Sequence, residues 1–278
     1  MKTFLFDLFM PMVPKNELSH WVGRLAHRRL PEPVGRLSVA WFAKHYKINM
    51  AEAEYPIEHY KTIGELFTRR LKPDARPLGA GPVVHPVDAK ITEAGRIEKL
   101  TLIQAKGKSY QVDELLRSRH YADAFEGGQY LTYYLCPTDY HRVHAPVTGK
   151  IVWSAHVPGE LWPVNEWSVS RIPKLFSINE RIVAVIETAR GLAALVMVAA
   201  TNVGNMTVSF DPMITTAVRR SGRHVREKVY DPPIEINKGD EFGIFHMGST
   251  VVMLYAPGVL EADASEYRGR RIKMGQSL

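Results

Sequence analysis

Five residues have the types and spacing to do chemistry. His85 and Asp88 lie three apart in "HPVD", His141 and His144 three apart in "YHRVHAP", and Ser249 sits between Gly248 and Thr250 in "FHMGSTVV". One chemistry for them is a zinc-dependent hydrolase built from His85, Asp88, His141 and His144, since imidazole and carboxylate are good zinc ligands. Residues three apart on a strand point to opposite faces, however, so such pairs share an ion only where the backbone turns. No H-E-x-x-H helix is present either. The other chemistry is a serine nucleophile, with His144 as its base and Asp88 as the acid that fixes the imidazole tautomer and stabilises its cation. No G-x-S-x-G elbow surrounds Ser249, so its target need not be an external ester. The residue before it suggests another target. Gly248 has no side chain, which leaves its carbonyl open to the Ser249 hydroxyl and its backbone tolerant of strain. Attack there turns the peptide into an ester. Elimination from the ester cuts the chain, and the dehydroalanine left behind tautomerises and hydrolyses to a pyruvoyl group. The plainer reading of Gly248-Ser249-Thr250 is a turn feeding a buried strand.

The elements that must position these residues fall into two textures. The first part reads as helical. Leu18, Trp21, Val22 and Leu25 keep the spacing of one helix face, and "GRLSVAWFAKHYKI" follows with Leu37, Trp41 and Phe42. A third helix is expected over "TIGELFTRRLK", with Ile63, Leu66, Phe67 and Leu71 on one side. After Pro73, short β-rich runs alternate with glycine and proline punctuation. The expectation is an α+β protein: a helical, membrane-contacting region over 1–72 on a mostly-β, sandwich- or barrel-like catalytic core over 73–278. Within that core "HPVDAKI" and "APVTGKI" share Pro-Val-x-x-Lys-Ile, matching Pro86, Val87, Lys90 and Ile91 to Pro146, Val147, Lys150 and Ile151. A repeated turn-and-strand unit would make the core internally duplicated.

Bulk composition narrows the partners. The 278 residues are 45% hydrophobic and 23% charged, which suits a globular protein with a substantial core. A net charge of +7 favours an anionic partner. Nucleic acid is not indicated, because the positive charge is scattered apart from Val218–Lys228 and no recognition motif accompanies it. The lone Cys136 allows no internal disulfide and reads as a small core residue. The apolar start is broken by Asp7, Pro11 and Pro14 and carries no signal-peptide pattern. No run reaches the length of a membrane span, so membrane contact is expected to be peripheral.

Taken together and in this order, "HPVDAKI", "YHRVHAPVTG" and "FHMGSTVV" resemble the phosphatidylserine decarboxylase family, a pyruvoyl-dependent group. "TIGELFTRRLKPDARP" and "LCPTDYHRVHAPV" extend the resemblance from about Tyr60 onward. It implies a self-processing triad of Asp88, His144 and Ser249 and cleavage between Gly248 and Ser249. The products would be a β chain (1–248) and an α chain (249–278) that begins with the pyruvoyl group. It implies that this group forms a Schiff base with phosphatidylserine and releases carbon dioxide, giving phosphatidylethanolamine, with His141 handling substrate. It implies no metal, a peripheral place on the cytoplasmic face of the cell membrane, and a possible homodimer. The residue before Gly248 is commonly leucine in the bacterial pattern and here is Met247, which keeps volume and polarity. Besides the zinc hydrolase, a non-catalytic lipid-binding module remains as an alternative.

Overall fold

A computed structural model describes residues 26–201, 205–216, 224–246 and 249–278, with the backbone alone for Ser249. The helix face expected at Leu18–Leu25, Gly248, and the stretch 218–223 of the basic cluster lie outside the described residues. Helix α1 spans Glu32–His45. Pro31 and Pro33 sit at its start, where a missing N–H costs nothing, with Glu32 in the first turn and Lys44 and His45 in the last. Val39, Phe42 and Ala43 face inward and pack with Ile48, Tyr60, Leu66 and Phe67 in a small core of their own. Helix α2 covers only Ile63–Phe67, capped by Thr62 through the Glu65 amide. It stops short of the expected Leu71. Thr68 turns its hydroxyl back onto the Gly64 carbonyl, Arg69 turns inward to the Thr138 and Asp139 carbonyls, and Leu71 bridges Ala53 instead.

Thirteen strands follow among the described residues. They are β1 (Ala89–Arg96), β2 (Thr101–Ala105), β3 (Lys108–Gln111), β4 (Gln129–Leu135), β5 (Arg142–His144), β6 (Gly149–Val157) and β7 (Arg181–Thr188). The rest are β8 (Gly191–Val198), β9 (Met206–Val208), β10 (Arg226–Ile236), β11 (Glu241–Phe245), β12 (Ser249–Tyr255) and β13 (Arg271–Ile272). Short helices α3 (Val112–Leu116), α4 (Arg119–Ala122), α5 (Glu166–Arg171) and α6 (Leu175–Ile178) lie between them. The main sheet is antiparallel and eight-stranded, in the order β10-β6-β7-β8-β12-β4-β1-β13. It is open, not a closed barrel. A three-stranded sheet β5-β11-β9 and the β2-β3 hairpin complete the described strands. The class is thus α+β. Central strands β7 and β8 are buried over most of their length, which is why they read as near-continuous apolar runs rather than alternating ones. Strand β10 was not legible in the sequence, because Pro232 and Pro233 interrupt it. It tolerates them at the sheet edge, and its register shifts between Val229 and Ile234.

The main sheet is duplicated about an axis between β8 and β12. Lys90 pairs with Tyr134 on β4 and Arg271 on β13, while Lys150 pairs with Glu187 on β7 and Glu235 on β10. Each copy has the same bulge, between Ile91 and Glu93 in β1 and between Ile151 and Trp153 in β6. The two Pro-Val turns exchange backbone bonds reciprocally: the His144 amide donates to Pro86 and the Val84 amide to Pro146, both at 2.9 Å. Asp88 accepts from the Met274 amide, and its counterpart Thr148 accepts from the Lys238 amide. Ser249 opens β12 as Gly191 opens β8. One scaffold is therefore built twice, with Asp88, His144 and Ser249 in one copy and Thr148, Val84 and Gly191 at the matching places of the other.

Candidate active site

Ser249 pairs with Leu135, the last residue of β4, and Thr250 with Tyr134. Tyr134 in turn pairs with Lys90 on β1, two residues after Asp88. Register thus brings Asp88 and Ser249 to the same end of the sheet, two strands apart, or about 10 Å at the usual spacing. A group between them is needed if they are to act together. His144 is fixed near that end by the hydrogen bond its backbone N–H donates to the Pro86 carbonyl, within the same turn that carries Asp88.

His144 and His141 each have a tautomer set by a carbonyl partner. His144 Nδ1 lies 2.7 Å from the Gly239 carbonyl, which can only accept, so Nδ1 carries the proton. Nε2 is left with its lone pair and accepts from the Tyr140 hydroxyl at 3.1 Å. Burial pushes the Tyr140 phenol up to about 12, so it stays a donor. Burial also lowers the His144 pKa, partly opposed by the Gly239 carbonyl and by Glu241 and Asp88. His144 is therefore a neutral base near neutrality. His141 is completely buried, its ring 3.8 Å from that of Phe67. Burial and the nearby Arg69 charge hold it down at about 3, and its Nδ1 proton goes to the Asp139 carbonyl at 2.9 Å. Its Nε2 has no partner.

Asp88 is held by groups that sequence reasoning missed. Arg76 donates from Nε to both carboxylate oxygens, at 2.9 and 3.1 Å, and its Nη2 also binds Glu52 at 2.7 Å. Met274 adds a backbone amide at 2.9 Å. The His144 tautomer is thus set by the Gly239 carbonyl, while Asp88 acts on the ring through space. Nothing local in the sequence marked Gly239. Arg76 and Tyr140 stand inside the quoted "TIGELFTRRLKPDARP" and "LCPTDYHRVHAPV" runs, but neither was assigned a role. His85 is nearly inaccessible, bonded through Nδ1 to the Tyr133 hydroxyl at 3.0 Å and pushed by burial down to about 4. Among the described residues no three His, Cys, Asp or Glu side chains converge as metal ligands. Cys136 is half-buried rather than in the core, and burial raises its thiol pKa, which disfavours a thiolate nucleophile.

Beside the start of β12 lies a cavity of about 500 Å³, walled by Lys90, Tyr134 and Thr250 from the sheet and by Val164, Val169 and Phe176 opposite. Thr250 is 1% exposed and its Oγ1 has no hydrogen-bond partner. A carbonyl group carried at position 249 would stand at a strand end, next to this cavity and its unpartnered donor. The residues present fit such a group.

Comparison with known proteins identifies the family. Residues 63–278 match the family model described as phosphatidylserine decarboxylase. Relatives named phosphatidylserine decarboxylase proenzyme span nearly the whole chain. The protein of Anaeromyxobacter sp. (strain K) is 42% identical over 276 residues, covering 99% of this chain and 97% of the relative. That of Myxococcus xanthus (strain DK1622) is 40% identical over 275 residues, covering 98% and 97%. That of Brevibacillus brevis (strain 47 / JCM 6285 / NBRC 100599) is 40% identical over 270 residues, covering 96% and 94%. On this full-length similarity, the chain belongs to the phosphatidylserine decarboxylase family.

Proposed function

We propose that the chain is a proenzyme that cuts itself between Gly248 and Ser249 and then decarboxylates phosphatidylserine to phosphatidylethanolamine. The observation that carries this reading is the end-to-end similarity to decarboxylase proenzymes. The Tyr140 hydroxyl yields the His144 Nε2 lone pair to Ser249, and Nε2 takes the serine proton as the serine oxygen attacks the Gly248 carbonyl, while the Gly239 carbonyl keeps the ring in the required tautomer. Asp88, fixed by Arg76, offsets the charge that develops on the ring. The chain is released as a Gly248 carboxylate, and ammonia leaves as water adds at position 249. When present, the pyruvoyl carbonyl supplies the electron sink for loss of carbon dioxide. His141 takes the substrate-handling role that the family resemblance implies; its neutral ring and unpartnered Nε2 support a proton-accepting part in it. The test is phosphatidylserine labelled in its serine carboxyl. Processed protein is expected to release labelled carbon dioxide and phosphatidylethanolamine in equal amounts. Neither product from a fully cleaved sample would refute the reading.

The substrate lies in a membrane, and α1 offers a surface for one. Val34, Leu37 and Trp41 are 51%, 71% and 61% exposed and follow one another on a single helix face. Among the described residues no helix is long and apolar enough to cross a membrane. An exposed apolar stripe on a basic protein fits peripheral binding to an anionic bilayer. The double variant Leu37→Gln, Trp41→Gln is expected to lose about tenfold or more in vesicle affinity. In detergent micelles its kcat should be unchanged. Equal vesicle binding by variant and wild type would remove α1 from the membrane surface.

A further inference from the structure

The duplicated sheet shows where its charges are not duplicated. Lys150 stands between Glu187 and Glu235, so a carboxylate faces it from each neighbouring strand. Its counterpart Lys90 stands between Tyr134 and Arg271. Arg271 is engaged by Asp139 at 2.9 Å and by the Cys136 sulfur at 3.2 Å. Lys90 is exposed, and among the described residues neither it nor Lys150 closes an ion pair, so the difference lies in the residues that stand on the neighbouring strands. The half that carries Asp88, His144 and Ser249 has thus exchanged two carboxylates for a phenol and a second cation, leaving one ammonium with no carboxylate paired to it from a neighbouring strand.

That ammonium borders the cavity beside Thr250. Lys90, Tyr134 and Thr250 form one row across three strands and share a face of the sheet. At the far end of the row is the buried, unpartnered Thr250 hydroxyl. Lys106 and Arg268 add charge at the wall, Arg268 being paired at 3.0 Å with Glu93. The remaining carboxylate there, Glu166, sits on the exposed first turn of α5.

We infer that this cavity seats the phosphodiester of the aminophospholipid headgroup, with the Lys90 ammonium and the Thr250 hydroxyl on its oxygens. The inference rests on the function proposed above, which places the reacting amine at position 249. In a phosphoserine headgroup two carbons and an ester oxygen separate the amine from phosphorus, a span of about 5 Å at ordinary bond lengths. The Lys90 and Thr250 backbones are about 10 Å apart, two strand spacings. A lysine ammonium reaches roughly 6 Å along its four-carbon stem, so it meets a phosphate held between the two positions. The apolar wall of Val164, Val169 and Phe176 meets the glycerol end.

The experiment compares Lys90→Gln, Lys90→Arg and Lys150→Gln as two-chain enzymes whose processing is verified by mass. Lys90→Gln is expected to raise KM for phosphatidylserine in uncharged micelles about tenfold, with kcat within about twofold, the size of one lost charge-assisted hydrogen bond. Lys90→Arg should recover part of the loss, and Lys150→Gln should match wild type. With wild-type enzyme, soluble glycerophosphoserine should inhibit at about tenfold lower concentration than serine methyl ester, which lacks the phosphate. Unchanged KM in Lys90→Gln, or equal inhibition by the two soluble probes, overturns the inference. So does an equal loss of binding to phosphatidylglycerol vesicles, which would make Lys90 a general surface charge. Failure of wild type itself to release carbon dioxide would instead refute the decarboxylase reading.

Discussion

Ser249→Ala is expected to yield a single full-length chain of 31.4 kDa with no detectable decarboxylase activity, where wild type yields fragments ending at Gly248 and beginning at 249. The expectation follows from bond making. Alanine has no oxygen to attack the Gly248 carbonyl, so no ester forms, no elimination follows, and no carbonyl group appears at the new terminus. The fold should survive the change. Strand β12 is laddered on both sides, to β4 from Ser249 to Tyr255 and to β8 from Thr250 to Tyr255, and its side chains from Thr250 to Tyr255 are buried. The intact mass and the melting curve therefore separate two outcomes. A folded, uncut and inactive variant supports self-processing at this serine. A variant that is cut and active like wild type places the nucleophile elsewhere and returns Gly248-Ser249-Thr250 to a plain turn before a buried strand.

Much of the β architecture was legible because strands such as β6 and β7 are apolar runs bounded by glycine, proline or charge. The Pro-Val-x-x-Lys-Ile echo pointed to the duplication. Its extent was not legible, since the matching bulges and the pairing of β13 with β10 as counterparts reside in register, not in residue identity. The helix expected to reach Leu71 ends at Phe67, and the residues beyond it make tertiary contacts instead: Arg69 turns to the Thr138 and Asp139 carbonyls and Leu71 bridges Ala53. At the candidate site, residue types offered Asp88, His144 and Ser249 as one reading among others, and the family resemblance assigned the triad and the role of His141. What orients them was hidden, because Arg76, Gly239 and Met274 become neighbours only when distant segments meet. The charge asymmetry between Lys90 and Lys150 was hidden for the same reason: each lysine is read against strands far away in the chain.

Replacing His144 by alanine is expected to slow self-cleavage about 10²- to 10⁴-fold, the usual worth of a positioned general base. Time courses of freshly expressed precursor, followed by intact mass, would measure it. The pH dependence gives a sharper signature. Burial lowers the His144 pKa below its ordinary value of about 6.5, so the neutral, basic form dominates throughout the neutral range. Cleavage by wild type should then be flat from about pH 7 to pH 8 and fall only in acid, with a midpoint below about 6.5. Tyr140 donates its hydroxyl to Nε2 and so stabilises the neutral ring. Tyr140→Phe removes that donor without removing the base. Its midpoint should move upward, toward the ordinary imidazole value, while cleavage at pH 8 stays near the wild-type rate. A purely structural role for His144 would give no such coupling, because losing a packing contact changes amplitude and not the acid limb. If Tyr140→Phe leaves the midpoint in place, the titrating base is not His144. Asp88 would then be the group to test, since Arg76 holds its carboxylate at the same end of the sheet as the start of β12.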